Sequence, residues 1–151
     1  MNASLKPGCF PCDQQAEIAL PPREDVLRTD CWRVAHAFNS TLPGWLVLLP
    51  TRHITSFTEL TPHAAGELGP VVRRLATALQ SVTGCLKTYL MQFSEAEEFS
   101  HLHVHLVPRL PDQPEDARGP RVFKYLAEDP TQWLSEAQRD SIALSLRAAL
   151  A

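Results

Sequence analysis

The chain has 151 residues, 44% hydrophobic and 21% charged, which fits one folded unit with a real core. Its formal net charge of -3 provides no global attraction for nucleic acid or an anionic membrane, so an anionic small molecule must be held by a local site. The opening Met1-Asn2-Ala3-Ser4 carries no apolar run of secretory type, and the longest apolar run, Trp45 to Leu49, is far too short to cross a bilayer. A cytoplasmic setting follows as the expectation, with reduced thiols and no partner among nucleic acid polymers or membranes.

In chain order, Cys9-Phe10-Pro11-Cys12 comes first, a tight Cys-x-x-Cys ahead of any strand. In a reducing compartment such a pair points to metal or redox chemistry rather than to a structural disulfide. Its place before the first strand, not at a helix start after one, favours zinc, which needs two further ligands. Asp25–Thr29 and Trp32–Phe38 read as strands, with Trp32, Val34, His36 and Phe38 alternating onto one face. Trp45–Leu49 is a short apolar strand between Pro43-Gly44 and Pro50. His53 follows it closely and is one candidate for the third ligand.

Thr61-Pro62 predicts a helix start, and Ala65, Leu68, Val72, Leu75, Leu79 and Val82 recur at helical spacing up to Gly84. Gly69-Pro70 predicts a kink or a delayed start. Leu86–Phe93 and His101–Val107 are the next two strands. Pro111–Pro120 is polar and Pro-rich and reads as a loop, and Ser135-x-x-Gln138 is a capping box that opens a last helix through Ile142, Leu146 and Leu150. Strands, one long helix, two strands and a final helix predict an α+β domain with an antiparallel sheet.

His101-Leu102-His103-Val104-His105-Leu106-Val107 is the most informative segment. Strand alternation places three imidazoles on one side, roughly 6.5–7 Å apart, and Leu102, Val104 and Leu106 on the other. Such a face would serve either as a metal cage of three histidines or as a set of catalytic imidazoles. One end of this strand is also a candidate zinc ligand. His36 and His63 remain over, the first reading as core or pocket lining and the second as a solvated residue in a first helical turn.

The triad followed by Pro108-Arg109 resembles the signature of the histidine triad (HIT) family. The N-terminal Cys-x-x-Cys, the Pro-Gly-strand-Pro-x-Arg-His segment and the long helix come in that family's order, so the resemblance runs from about Cys9 to Arg109. It implies a five-stranded antiparallel sheet with one long central helix and one C-terminal helix, in a single domain over 1–151 with its core at about 9–109 and a C-terminal loop and helix over 110–151. A homodimer is implied as well. Zinc-bearing members would hold the metal on Cys9, Cys12, His53 and His101. His103 would attack the α-phosphorus of a nucleoside phosphate ester, anhydride or amidate, giving a covalent nucleotidyl-histidine that water hydrolyses. His105 would donate to a phosphate oxygen or the leaving group.

Three positions depart from the family pattern. Trp45 stands where many members have histidine, and an indole nitrogen cannot accept a hydrogen bond. Ala96-Glu97-Glu98 replaces a phosphate-binding Gly-Gln-Ser or Gly-Gln-Thr, so Glu98 and its neighbours either turn away or meet a substrate bearing a cation. The ribose-binding Asp or Asn falls on Ala37, and Asn39 serves only with a shift of two residues. Arg109, just past the triad strand, would add positive potential. The expected function is nucleotidyl hydrolysis or transfer with Asn39, Trp45, Glu98 and Arg109 as substrate contacts; the alternative is a non-catalytic, zinc-stabilised dimer that binds a nucleotide or a protein.

Overall fold

In a computed structural model that describes residues 5–151, the chain forms five strands and three α-helices; Met1–Ser4, on which part of the leader reading rests, lie outside the described residues. The strands are β1 (Leu27–Arg28), β2 (Trp32–His36), β3 (Leu46–Pro50), β4 (Lys87–Gln92) and β5 (Val104–Arg109). They pair antiparallel throughout in the order β1-β2-β3-β5-β4, as the HIT resemblance implies. The helices are α1 (Phe10–Ala16), α2 (Pro62–Thr83) and α3 (Glu136–Leu150). No described helix is long and apolar enough to cross a membrane.

Alternation divides the sheet into two faces. Val34, Leu46, Leu48, Val104 and Leu106 point towards α2 and α3 and join Val71, Leu75, Ala78, Leu79, Ala143 and Leu146 in the larger core. The intervening Ala35, Val47, Leu49 and His105 line a cavity on the opposite face. Beside that cavity Ala37, Leu42, Trp45, Val107 and Val122 form a second, smaller core. The 3₁₀ turns of Glu115–Ala117 and Gly119–Tyr125, in and after the expected loop, bring Val122 there.

Helix α2 is capped by the Thr61 side chain, which accepts from the Ala64 amide, and ends at Gly84 with φ of 70°. Pro70 sits inside it, so the expected kink gives no break in the helix. The indole N–H of Trp32 donates to the Ala64 carbonyl at 2.9 Å and ties the first turns of α2 to β2. Gly44, with φ of 90°, has Leu79 and Pro108 side chains 3.2 Å from where a Cβ would stand, so the turn into β3 requires glycine twice over. The Ser135–Gln138 capping box opens α3 as expected.

Three sequence expectations are corrected. The Cys-x-x-Cys lies on a helix, because Cys9 is its N-cap and Pro11 suits the first turn. The triad segment joins the ladder only at Val104, since the Leu102 amide donates to the Ile54 carbonyl and not to a strand neighbour. Similarly, β2 stops at His36, and Phe38 leaves the core face to line the cavity.

Candidate active site and metal centre

Cys9 and Cys12 at the start of α1, His53 after β3 and His101 before β5 place one donor atom each within 4.8 Å of all the others. The closest approaches are Cys12 Sγ to His53 Nδ1 at 3.4 Å, and Cys9 Sγ and Cys12 Sγ to His101 Nδ1, both at 3.5 Å. Tetrahedral zinc with ordinary Zn–S and Zn–N lengths puts sulfur and nitrogen about 3.5 Å apart. The donor set and its spacing therefore fit that ion. The other nitrogen of His101, Nε2, lies 3.0 Å from the Pro50 carbonyl and donates to it, which leaves the Nδ1 lone pair for the metal. Burial pushes the His101 imidazolium down to about 4, so the ring is neutral and competent to ligate at neutral pH. Burial also raises the Cys12 thiol, and Cys9 beside it adds to the rise.

The buried Arg33 of β2 holds this corner. Its guanidinium donates to the Glu24 carbonyl at 2.7 Å, to the Pro11 carbonyl of α1 at 3.3 Å and to Gln15 Oε1 at 3.2 Å, with the Glu24 carboxylate 3.6 Å away. A second group of donors, Cys31, His63 and Glu67, lies at the surface, where His63 pairs with Glu67 at 3.3 Å.

The cavity next to the metal donors has a volume of about 240 Å³ and is mostly apolar. Phe38, Phe99 and Leu126 wall it, and His36, Asn39, His101, His103 and His105 supply its polar edge. His103 is half-buried. Its Nδ1 lies 2.8 Å from the His101 carbonyl and donates to it, so Nε2 keeps its lone pair. Ser94, at the end of β4 with φ of 55°, accepts from the His103 amide at 3.1 Å and receives the Gln92 side-chain amide at 2.9 Å. His105 meets His103 edge to face with ring centroids 5.0 Å apart. The Trp45 indole N–H donates to its Nδ1 at 3.0 Å, and burial, followed by the neighbouring His103, pushes it down to about 4. His36 is also held neutral, pushed down to about 4 by burial; it accepts from the Gly44 amide and donates to the Ala37 carbonyl.

The structure thus gathers Asn39, His101, His103 and His105 around one cavity, but not the other expected contacts. Trp45 is fully buried behind His105 rather than in the cavity. Glu98 is exposed on a 3₁₀ turn that sends Ala96 and Phe99 to the cavity and the carboxylates outward, so of the two expected arrangements it is the one in which they turn away. Arg109 occupies the far end of β5 opposite Lys87 and does not line the cavity. Sequence reasoning missed Ser94, Phe38, Phe99 and Leu126. Only their aromatic or apolar character in otherwise polar turns could have marked the last three.

Fold and site together define an α+β domain in which one segment supplies a metal-donor imidazole and, two and four residues on, two imidazoles to an apolar cavity. Residues 21–112 match the HIT domain model, more than half of the chain, and the protein belongs to the histidine triad family, in general a family of nucleotide-binding hydrolases and transferases. Among solved structures, it is similar to a Hit-like protein involved in cell-cycle regulation from Bartonella henselae (TM-score 0.74, 16% identity, 97% of this chain and 98% of that one). A Zn-bound histidine triad family protein from Mycobacterium smegmatis (0.66, 18%, 94% and 92%) and a uridylyltransferase (0.63, 21%, 94% and 45%) share the fold.

Proposed function

We propose that the protein is a nucleotidyl hydrolase or transferase that works through a covalent nucleotidyl-His103 intermediate. The observation that carries this reading is the Nδ1–H of His103 on the His101 carbonyl, which leaves Nε2 as a lone-pair donor at the cavity. That nitrogen attacks the α-phosphorus: the N–P bond forms as the bond from phosphorus to the leaving group breaks, and the electron pair departs with the leaving group. Water then attacks phosphorus, the N–P bond breaks, the pair returns to Nε2, and the water proton is lost to solvent. His105, whose Nε2 carries a proton, donates a hydrogen bond to a non-bridging oxygen as charge builds there. The apolar walls of Phe38, Phe99 and Leu126 suit a nucleobase, and Asn39 at their edge suits a ribose hydroxyl.

Zinc on Cys9, Cys12, His53 and His101 is the metal this reading favours, supported by the sulfur–nitrogen spacing and by the zinc-bound Mycobacterium smegmatis relative. When bound it fixes the position of His101; the residues that follow act on the substrate. The chain-long reading as one domain and a cytoplasmic site of action go with this function. A homodimer is supported by β4, a sheet edge unpaired among the described residues, which exposes Leu90 and is flanked by exposed Leu86 and Phe93.

The test is turnover of nucleoside phosphoramidates and dinucleoside polyphosphates by zinc-loaded protein. The His103→Ala variant is expected to lose at least a thousandfold in rate with its zinc content unchanged. A folded, zinc-loaded wild type that binds a nucleotide in calorimetry and yields no product would establish the non-catalytic alternative instead.

A further inference from the structure

The Trp45 indole reaches His105 from the side away from the cavity, and its chemistry is one-sided. An indole N–H donates and has no lone pair with which to accept. Since it lies 3.0 Å from His105 Nδ1, that nitrogen must be the acceptor, and the single ring proton of the neutral imidazole sits on Nε2. Among the described residues no other group hydrogen-bonds the His105 ring. Trp45 is fully buried, its ring meets His105 at 89° with centroids 5.7 Å apart, and Phe123 closes the remaining side at 5.4 Å and 86°.

One route to proton donation is closed as a result and the other is weak. An imidazolium would carry an N–H at Nδ1, aimed at the indole N–H with no acceptor between them. The neutral ring is itself a very weak acid, since loss of its Nε2 proton would leave an imidazolate. It could give that proton only to a leaving group that had already departed as a strongly basic anion, too late to lower the barrier. His105 therefore offers a hydrogen bond and is a poor general acid. We propose that Trp45 is a positioning residue that locks His105 as a neutral Nε2–H donor, and that the site in consequence favours nucleotidyl donors whose leaving group departs unprotonated: phosphoanhydrides, not alkyl esters or amidates. The preference rests on the nucleotidyl-transfer reading above, whereas the lock does not. In the favoured reaction the electron pair of the breaking P–O bond stays on a weakly basic phosphate oxygen. An amine or alkoxide would need an acid, and among the described residues that line the cavity none is placed as a strong one.

Long-range ¹H–¹⁵N NMR on the zinc-loaded protein at pH 7 tests the lock. His105 is expected to show an unprotonated Nδ1 and a protonated Nε2, and Trp45→Phe to release a mixture of the two tautomers. A protonated Nδ1 in the wild type overturns the proposal. Rates on a series of aryl and alkyl esters of adenosine 5′-monophosphate test the consequence. The wild type is expected to slow about tenfold for each unit by which the leaving-group pKa rises, as departure without a proton requires. Trp45→His, which can accept as well as donate, is expected to slow less than half as steeply. A wild-type slope as shallow as that of Trp45→His refutes the leaving-group preference. If every ester and a dinucleoside polyphosphate alike are inert, the nucleotidyl-transfer reading fails, and the preference with it, while the NMR result decides the lock by itself. If only the dinucleoside polyphosphate turns over, the preference for anhydrides stands in its strongest form.

Discussion

Arg33→Met removes a cation whose side chain is 1% exposed and which faces a Glu24 side chain that is 10% exposed. Methionine fills much of the same space, so the main loss is electrostatic. The Glu24 carboxylate is left buried without its partner, and the Pro11 and Glu24 carbonyls and Gln15 lose their donor. Burial raises the Glu24 carboxyl and lowers the Arg33 guanidinium, in each case against the pull of the other, so the pair is held together at a desolvation cost. Stranding one member of such a pair costs about 3–5 kcal/mol. Arg33→Met is therefore expected to lose about that much stability in urea unfolding, and Arg33→Met with Glu24→Leu to recover most of it. Zinc affinity is expected to behave otherwise. The bonds to Pro11 and Gln15 hold α1, which carries both cysteines, and the double variant does not restore them. Competition with a chromogenic chelator should show weaker binding in both variants. A double variant with wild-type zinc affinity, or a single variant that loses under about 1 kcal/mol, would refute the reasoning.

Two further outcomes are expected. His36 is held near 4, below its unfolded value, so the stability it contributes is present above about 6.5 and is lost as pH falls towards 4, on the order of 3 kcal/mol when complete. Urea titrations at several pH values should show His36→Gln with a shallower decline over that window; an unchanged slope would exclude this source. Gly44→Ala combines a φ of 90° with contacts of 3.2 Å and is expected to cost about 2–4 kcal/mol, read from the unfolding midpoint; a loss under about 0.5 kcal/mol would mean that the turn relaxes freely.

The parts of this molecule that were legible in the sequence are those set by local period and spacing. Leu102, Val104 and Leu106 alternate with three histidines, and the helical stripe from Leu68 to Val82 ends at Gly84; both follow from the residues alone. Cys9, Cys12, His53 and one end of the triad strand could be named as candidates from the residues, but the choice of His101 comes only through a family likeness, because the meeting depends on ends of β3, β5 and α1 converging at one corner. Arg109 shows a signal that was present and not used. It has the parity of His103 and His105, but six residues of strand place it about 20 Å from His103. Ser94 left no such trace, since a non-glycine residue with positive φ has no local signature and its partner is nine residues away.

What distinguishes the three triad histidines is which nitrogen each has committed, and to what. His101 gives Nε2–H to the Pro50 carbonyl and frees Nδ1; His103 gives Nδ1–H to the His101 carbonyl and frees Nε2; His105 accepts at Nδ1 from Trp45 and presents Nε2–H. The first two partners are main-chain carbonyls, which accept only and would serve whatever side chain stood there. The third is a side chain sixty residues away that donates only. The first two assignments therefore come with the backbone path, but the third can be altered by a single substitution at position 45. In this architecture the character of the last imidazole, hydrogen-bond donor or proton carrier, is decided by the residue behind it and not by the triad itself.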